Sequence, residues 1–148
     1  MRFLTHMPRA LAEARAAAAR GETPVGAVVV RGGRVIAAEG NRVRELGDPT
    51  AHAEVLAIRA AARALGSERL GGCDLWVTLE PCAMCAGAIA HARLARLYYA
   101  APDPKGGAVA HGARVFAHPT CHHRPEVHDG LGEAEAARLL RDFFAARR

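Results

Sequence analysis

The sequence TLEPCAMCAG, residues 78–87, marks a passage from a strand into a helix. The apolar residues of DLWVTLE (74–80) predict a buried strand, and Pro81 stands where a helix running to about residue 93 would begin. Cys82 and Cys85 then share one face of the first helical turn. Thiols near the positive end of a helix dipole favour the thiolate form, which suits metal binding and redox chemistry alike.

Outward from this junction, the chain is predicted to alternate between helices and strands. Gly32 and Gly33 predict a tight turn between two strands, and Asp48 and Pro49 predict a helix N-terminus. The predicted helices cover residues 7–20, 49–65, 81–93 and 132–148, and the predicted strands cover residues 24–30, 34–41, 74–80 and 96–100. This order of elements predicts an α/β fold whose mixed sheet is covered by helices on both faces.

The last helix is easier to interpret than the segment before it. The helix is amphipathic, and four of its apolar residues are expected to face the core: Leu139, Leu140, Phe143 and Phe144. Residues 102–107 have the composition of a loop, whereas residues 108–130, with several His, Pro and Gly, allow no assignment.

Composition restricts the class of protein. With 148 residues, 51% of them hydrophobic, the chain is long and apolar enough for one folded domain. The sequence contains neither a continuous apolar signal segment nor a membrane-length apolar stretch, so a cytoplasmic protein without membrane contact is expected. The Arg- and Ala-rich first 20 residues could instead be a transit peptide, although their helical spacing favours a first helix. The net charge of +5 favours a polyanionic partner such as nucleic acid.

The C-x-x-C pair has three interpretations: a redox pair, a structural zinc site, or part of a catalytic zinc site. A structural zinc ion needs four protein ligands, whereas a catalytic one needs three and an open position. Cys73 precedes the strand that Cys82 follows, and because such a strand spans roughly 20 Å, Cys73 is expected at the wrong end of the sheet. The third ligand is best sought in DPTAHAE (48–54), which places His52 and Glu54 near a helix N-terminus.

His-x-Glu followed by Pro-Cys-x-x-Cys is far more specific than either motif alone. On these residues, and on the segments PVGAVVV, TLEPCAMCAGA, DPKGGA, HHR and DFFAARR, the chain resembles the bacterial tRNA-specific adenosine deaminases of the cytidine deaminase-like superfamily. The resemblance covers about residues 24–148 and implies a three-layer α/β/α fold with a central mixed five-stranded sheet. It also implies one zinc-dependent deaminase domain over residues 1–148.

The resemblance further implies a metal site and a reaction. One Zn²⁺ per chain would be held by His52, Cys82 and Cys85, with a water in the open position. The metal lowers the pKa of that water, and Glu54 carries its proton to the adenine ring and the departing amine. The implied product is inosine at the wobble position of a tRNA anticodon.

The same resemblance assigns other residues to the substrate. Asn41 matches the asparagine that hydrogen-bonds the target base, and Asp103 and Lys105 match a loop that holds the neighbouring nucleotides. His123 belongs to a segment that matches the family's Asn-His-Arg, although this chain has His122 in place of the Asn. The implied partners are a tRNA anticodon stem-loop and a second copy of the chain in a homodimer.

Other functions remain open at this point. A guanine, cytosine or free-nucleoside deaminase of nucleotide salvage would use the same metal chemistry and differ in its pocket and loops. A zinc-stabilised RNA-binding module would not need Glu54, and a thioredoxin-like redox protein would need neither His52 nor Glu54. The segment HPTCHH (118–123) suggests a second metal site, but its spacing matches no closed zinc pattern, so a basic loop near RNA is preferred.

Overall fold

The computed structural model describes residues 5–147. Its helices are α1 (Met7–Ala19), α2 (Val43–Leu46), α3 (Ala53–Leu65), α4 (Ala83–Ala92) and α5 (Glu133–Ala145). Its strands are β1 (Gly26–Arg31), β2 (Arg34–Gly40), β3 (Cys73–Leu79), β4 (Arg96–Ala101) and β5 (Glu126–Asp129), and a 3₁₀ turn covers Val115–Ala117. The predicted alternation of helices and strands is confirmed, with α2, β5 and the 3₁₀ turn in addition. Within the described range, no helix has the length and hydropathy of a membrane span.

The strands form a five-stranded mixed sheet in the order β2-β1-β3-β4-β5. Strand β1 is antiparallel to both β2 and β3, whereas β4 is parallel to both β3 and β5. Gly32 and Gly33 have φ angles of 57° and 77°, the left-handed values that a tight turn between β1 and β2 requires. The mixed sheet and its hairpin are therefore as predicted.

Helices cover both faces of the sheet and make three layers. Helices α1 and α5 pack on one face, around Val28, Trp76 and Tyr98. Helices α3 and α4 pack on the other face, around Val29 and Leu75. Consecutive residues of β1 belong to different cores because strand side chains alternate between the two faces. This arrangement confirms the predicted α/β/α architecture.

Helix α3 begins later than its sequence signal predicts. Asp48 and Pro49 do not open the helix, because the backbone forms a turn here: the Ala51 N–H donates to the Asp48 carbonyl at 3.1 Å, and the His52 N–H donates to the Thr50 carbonyl at 2.8 Å. The backbone N–H and the hydroxyl of Thr50 also donate to Asp48 Oδ1, at 2.8 Å each. The Asp48 carboxylate thus closes a separate turn, which such side chains commonly do. The N-cap of α3 is His52, whose extended backbone (φ −72°, ψ 150°) turns the chain into the helix.

Helix α4 also begins after its predicted start. Its N-cap is Cys82, so Pro81 precedes the helix instead of occupying its first position. The Cys82 backbone is extended (φ −72°, ψ 176°), and its carbonyl accepts the Ala86 N–H at 2.8 Å. Cys85 lies in the first turn, as predicted. The two helices on this face of the sheet therefore begin with the same backbone geometry, and each has a potential metal ligand at its N-cap.

Helix α5 does not bury the apolar face that its sequence suggests. Ala136 is its buried residue, and Leu139 packs partly against the core. Phe144 is 50% exposed, and Leu140 and Phe143 are half-buried, so their predicted inward orientation is wrong for Phe144 and only partial for the others. Helix α5 packs against α1, β3 and β4, but Phe143 in its last turns lines a cavity that is described below. The end of the helix therefore has no core to pack against.

Replacing Gly26 with alanine is expected to destabilise the protein, because α1 crosses β1 at very short range. A Cβ on Gly26 would lie 2.0 Å from the Ala10 carbonyl oxygen and 2.6 Å from the Ala14 nitrogen, so the helix would have to move. We expect a loss of about 3 kcal/mol in the free energy of unfolding, measured by urea denaturation. The matched control is Gly71→Ala, whose Cβ would meet nothing within 4 Å. Equal stability of the two variants would contradict this packing.

Candidate active site

The site forms where α3 and α4 begin side by side at one end of the sheet. His52 is the N-cap of α3 and Cys82 is the N-cap of α4, yet neither side chain caps its own helix. The His52 imidazole is therefore not engaged by the first-turn N–H groups of α3. Cys73, at the start of β3, is at the opposite end of that strand, as the sequence predicted.

Three of these side chains converge on one point. The ligand atoms of His52, Cys82 and Cys85 all lie within 4.8 Å of one another. His52 Nδ1 is 3.6 Å from the Cys82 sulfur and 3.5 Å from the Cys85 sulfur. Zinc bonds of about 2.3 Å to sulfur and 2.0–2.1 Å to nitrogen, at a tetrahedral angle, would separate the ligand atoms by roughly 3.6 Å. The spacing and the donor types of this group therefore fit a tetrahedral zinc ion with three protein ligands.

Within this group, the pKa of Cys82 is lowered, whereas the pKa values of Cys85 and His52 are raised. Hydrogen bonds from Cys85 and His52 lower the pKa of Cys82 to about 4, although burial opposes the charge. The hydrogen bond to Cys82 and burial both raise the pKa of Cys85. The hydrogen bond with Cys82 also raises the pKa of His52. Without a metal, one thiolate is thus stabilised by two neighbouring donors, and its place at a helix N-terminus adds to the effect. A bound cation would replace these protons.

Glu54 lies next to this group and is 4% exposed. Burial, with a smaller contribution from the negative charge on Cys82, raises the pKa of its carboxyl to about 7, although a hydrogen bond to its own backbone and the charge on His52 oppose the shift. A carboxyl with such a pKa is poised to gain and lose a proton near neutral pH, as a general acid–base group must. Because α3 starts at His52, both residues come from the same helical turn.

Asn41 joins the site from the end of β2. It is 9% exposed, and its Oδ1 accepts the Ala53 backbone N–H at 2.7 Å, which caps the first turn of α3. Its own backbone is fixed as well, because the Asn41 carbonyl accepts a hydrogen bond from Arg20 at 3.2 Å. Since Oδ1 is used by the helix, Nδ2 is the atom that this side chain can offer to a ligand.

A cavity of about 330 Å³ opens beside His52 and Asn41. Arg44 of α2 lines one side, and Phe143 and Arg147 from the end of the chain line another. The Arg147 guanidinium lies 3.5 Å from the centroid of the Phe143 ring, a cation–π contact, and also donates to the Phe143 carbonyl at 3.1 Å. The cavity therefore extends from His52, one of the three potential metal ligands, to a basic and aromatic wall.

The structure brings five of the predicted site residues together and locates the other three elsewhere. Asp103 and Lys105 lie in the loop that follows β4, where the Asp103 carboxylate accepts the Lys105 N–H at 3.2 Å. His123 donates from Nε2 to the Leu94 carbonyl at 2.6 Å and lines a second cavity, of about 310 Å³, that is bounded by α4 and residues 113–123. Among the residues described, none of these three lines the cavity beside His52.

The histidine-rich segment 118–123 does not gather metal ligands. Within residues 5–147, the group of His52, Cys82 and Cys85 is the one that meets the spacing required for a metal. The Cys121 thiol donates instead to the His123 carbonyl at 3.1 Å. That this segment is a basic loop near RNA stays a prediction.

Two buried carboxylates were given no role by the sequence. Glu22 accepts hydrogen bonds from the Arg44 and Glu45 N–H groups at 3.1 and 2.7 Å, which fixes α2 against the cavity. Glu80 follows β3 and accepts hydrogen bonds from the loop after β4. The available signal was that each acid lies close in sequence to a buried apolar strand, Glu80 directly after β3 and Glu22 four residues before β1, where an ionised group needs partners.

Comparison with known proteins gives a consistent result. The chain matches the model of the MafB19-like deaminase family over residues 2–148. It is 62% identical, over 145 residues, to the tRNA-specific adenosine deaminase of Agrobacterium fabrum (strain C58 / ATCC 33970). That alignment covers 97% of this chain and 95% of the relative.

Solved structures agree with the sequence comparison. A structure from a study of A-to-I editing by tRNA:A34 deaminases at the wobble position of transfer RNA superposes with a TM-score of 0.90 at 63% identity, covering 90% of this chain and 97% of the other. The guanine deaminase of Bacillus subtilis superposes with a TM-score of 0.69 at 35% identity, covering 99% of this chain and 94% of the other. The fold is thus shared by enzymes that act on different purines.

Proposed function

The chain belongs to the MafB19-like deaminase family and to the bacterial tRNA-specific adenosine deaminases within it, and we propose that it converts adenosine to inosine at the wobble position of a tRNA anticodon. The observation that carries the proposal is the buried carboxyl of Glu54 beside the metal-ligand group of His52, Cys82 and Cys85. A buried proton carrier beside a metal-ligand group supports a hydrolytic reaction, because neither a metal-binding module nor a redox pair requires such a carboxyl.

We propose that His52, Cys82 and Cys85 hold one Zn²⁺ per chain. Zinc at such a site supplies Lewis acidity that makes water a good nucleophile at neutral pH. Glu54 would take one proton from the attacking water and deliver it to N1 of adenine. It would then carry the second proton, from the hydroxyl formed at C6, to the departing amine, so that ammonia leaves and the C6 carbonyl of inosine forms. The raised pKa of Glu54, about 7, supports both directions of transfer.

Asn41 is proposed to orient the target base through Nδ2. The hydrogen bond from Ala53 holds the amide in place, so the donor is positioned before the substrate arrives. We expect Asn41→Ala to lower kcat/KM for RNA by roughly tenfold or more and the free energy of unfolding by about 1 kcal/mol. Steady-state kinetics and urea denaturation measure the two effects separately. A stability loss with unchanged kcat/KM would make Asn41 a helix cap only.

The substrate is proposed to be an RNA loop bound by basic and aromatic groups. Arg44, Phe143 and Arg147 line the cavity, and such groups bind phosphate and stack on unpaired bases. Asp103 and Lys105 are proposed to hold the nucleotides beside the target, with Lys105 exposed and available to phosphate. His123 is proposed to support this region through its contact with Leu94. A single-stranded anticodon loop suits the site because flipping an unpaired base costs little.

A product assay by mass spectrometry tests the substrate. The zinc-loaded protein is incubated with an anticodon stem-loop that carries a wobble adenosine and, separately, with adenosine, guanine, cytosine and cytidine. We expect inosine in the RNA and no product from the small molecules. Turnover of guanine with the RNA unchanged would support the salvage alternative, for which the likeness to the Bacillus subtilis enzyme is the relevant observation.

The chain is further proposed to form one deaminase domain over residues 1–148, to act in the cytoplasm and to assemble as a homodimer. The two core clusters on a continuous sheet support the single domain. Sedimentation equilibrium is expected to give about twice the chain mass of 15.6 kDa, and the mass of one chain at micromolar concentration would contradict the dimer.

A further inference from the structure

The Glu80 carboxylate is the most heavily hydrogen-bonded side chain beside the active site. Glu80 is 2% exposed and lies two positions before Cys82, directly after β3. Its Oε2 accepts the backbone N–H groups of Val109, Ala110 and His111 at 3.1, 3.0 and 3.1 Å. Its Oε1 accepts the Asp103 N–H at 3.0 Å and the His111 ring Nδ1–H at 2.8 Å.

These contacts hold both ends of the loop that follows β4. The segment from residue 102 to residue 112 has no helix or strand of its own, so its shape depends on such contacts. Asp103 lies near its start, and Val109, Ala110 and His111 lie near its end. The loop is also fixed to the entrance of α4, because the Ala108 N–H donates to the Pro81 carbonyl at 2.8 Å.

The loop wraps around the carboxylate without free space. A Cβ on Gly107 would lie 2.5 Å from Glu80 Cδ and 2.6 Å from Glu80 Oε2. Glycine at this position therefore lets the backbone approach the acid closely enough for the neighbouring N–H groups to reach it. Lys105 is exposed in this loop, and its backbone N–H donates to the Asp103 carboxylate at 3.2 Å.

We propose that Glu80 is a positioning residue for RNA binding. It fixes the loop of Asp103 and Lys105 relative to Cys82, so that an RNA held by the loop presents its adenine to Glu54. The inference rests on the proposed function, because the loop matters only if RNA binds there. Glu80 acts through the loop and touches neither the substrate nor the metal.

The variant that tests this role is Glu80→Gln. The amide keeps the size of the side chain but replaces one acceptor oxygen with an NH₂ group, which would face backbone N–H donors. We expect amide hydrogen exchange at residues 109–111 to become at least about tenfold faster. We expect KM for the stem-loop to rise about tenfold while kcat and zinc content change less than about twofold, the pattern of lost binding without lost chemistry.

Two further variants keep the inference testable if Glu80→Gln folds poorly. Gly107→Ala leaves the carboxylate in place, but its Cβ would lie 2.5 Å from both Glu80 Cδ and the Asp103 carbonyl oxygen. The loop would therefore have to shift away from both, and we expect the same rise in KM. Glu68→Gln changes an exposed glutamate far from the loop in sequence and is expected to leave exchange and kinetics unchanged.

Three outcomes overturn the inference. The first is unchanged exchange and unchanged KM in both Glu80→Gln and Gly107→Ala. The second is a fall in kcat with zinc loss and an unchanged KM, since Glu80 would then support the metal site. The third is faster exchange at residues 109–111 with unchanged KM, since the loop would then not bind RNA. If the wild-type protein does not deaminate the stem-loop, the proposed function fails on its own, and exchange still decides whether Glu80 holds the loop.

Discussion

Glu54→Gln is expected to lower the rate of inosine formation by about 10²–10⁴-fold, the range that general acid–base groups contribute. Glutamine has nearly the same shape as glutamate but cannot take up a proton. Because Glu54 is buried and its pKa is raised to about 7, the wild-type carboxyl exchanges a proton readily near neutral pH. The amide removes this exchange and leaves the surrounding packing in place.

The rate is measured by mass spectrometry of the stem-loop product, alongside zinc content and RNA affinity, both of which we expect to be retained. The matched control is again Glu68→Gln, which alters an exposed glutamate. Turnover within about threefold of the wild type in Glu54→Gln would remove Glu54 from the mechanism. Loss of zinc in this variant would point instead to a structural contribution of the carboxylate to the metal site.

Cys82→Ser is expected to lose both zinc and activity. Neighbouring hydrogen bonds lower the pKa of Cys82 to about 4, which favours the thiolate form that zinc binds, and serine cannot supply a comparable anion. Zinc per chain, measured by elemental mass spectrometry, should fall from about one to well below one. Because a metal that binds only the folded state stabilises it, a chelator should lower the melting temperature of the wild type but not of Cys82→Ser.

Cys121→Ser provides the matched control for this experiment. Cys121 donates a hydrogen bond to the His123 carbonyl, a role that a serine hydroxyl can also fill, so zinc and activity should be retained. A Cys82→Ser protein that kept about one zinc per chain and full turnover would reject the proposed ligand set. An active wild-type protein that contained no zinc and a Cys82–Cys85 disulfide would support the redox interpretation.

Much of the architecture follows from local patterns in the sequence. The β1–β2 hairpin was predicted because Gly32 and Gly33 adopt left-handed φ angles at no steric cost. The resemblance implied a fifth strand, but the position of β5 was not assigned from the residues. Its four residues, EVHD, include one apolar side chain and so lack the alternation of apolar and polar side chains that signals a strand. Its place in the sheet comes from parallel pairing with β4, supported by the Arg96–Glu126 ion pair at 3.2 Å.

The start of α3 and the packing of α5 likewise depend on contacts that local sequence patterns do not show. Asp48 and Pro49 are typical of a helix start, yet the N-cap of α3 is His52. The backbone turns at residues 48–52, and the first N–H of the helix, from Ala53, is capped by Asn41 from the end of β2. The amphipathic pattern of α5 predicted that its apolar side chains face the core, which is the usual arrangement for such a helix. The last turns of α5 lie beside a cavity instead of a core. The sequence of a helix does not show which part of the protein the helix packs against.

The sequence by itself determined the chemistry of the site. The ability of His52, Glu54, Cys82 and Cys85 to bind a metal or move a proton is a property of their side chains. Each pair also lies within a few residues of one helix N-terminus, so a local pattern is enough to find it. The tertiary structure decided what surrounds that chemistry. Glu80 meets donors 23 to 31 residues away in the chain, and only the parallel pairing of β3 and β4 brings those donors to it. Hydrogen bonds over such separations depend on the fold, so no local pattern could have revealed them.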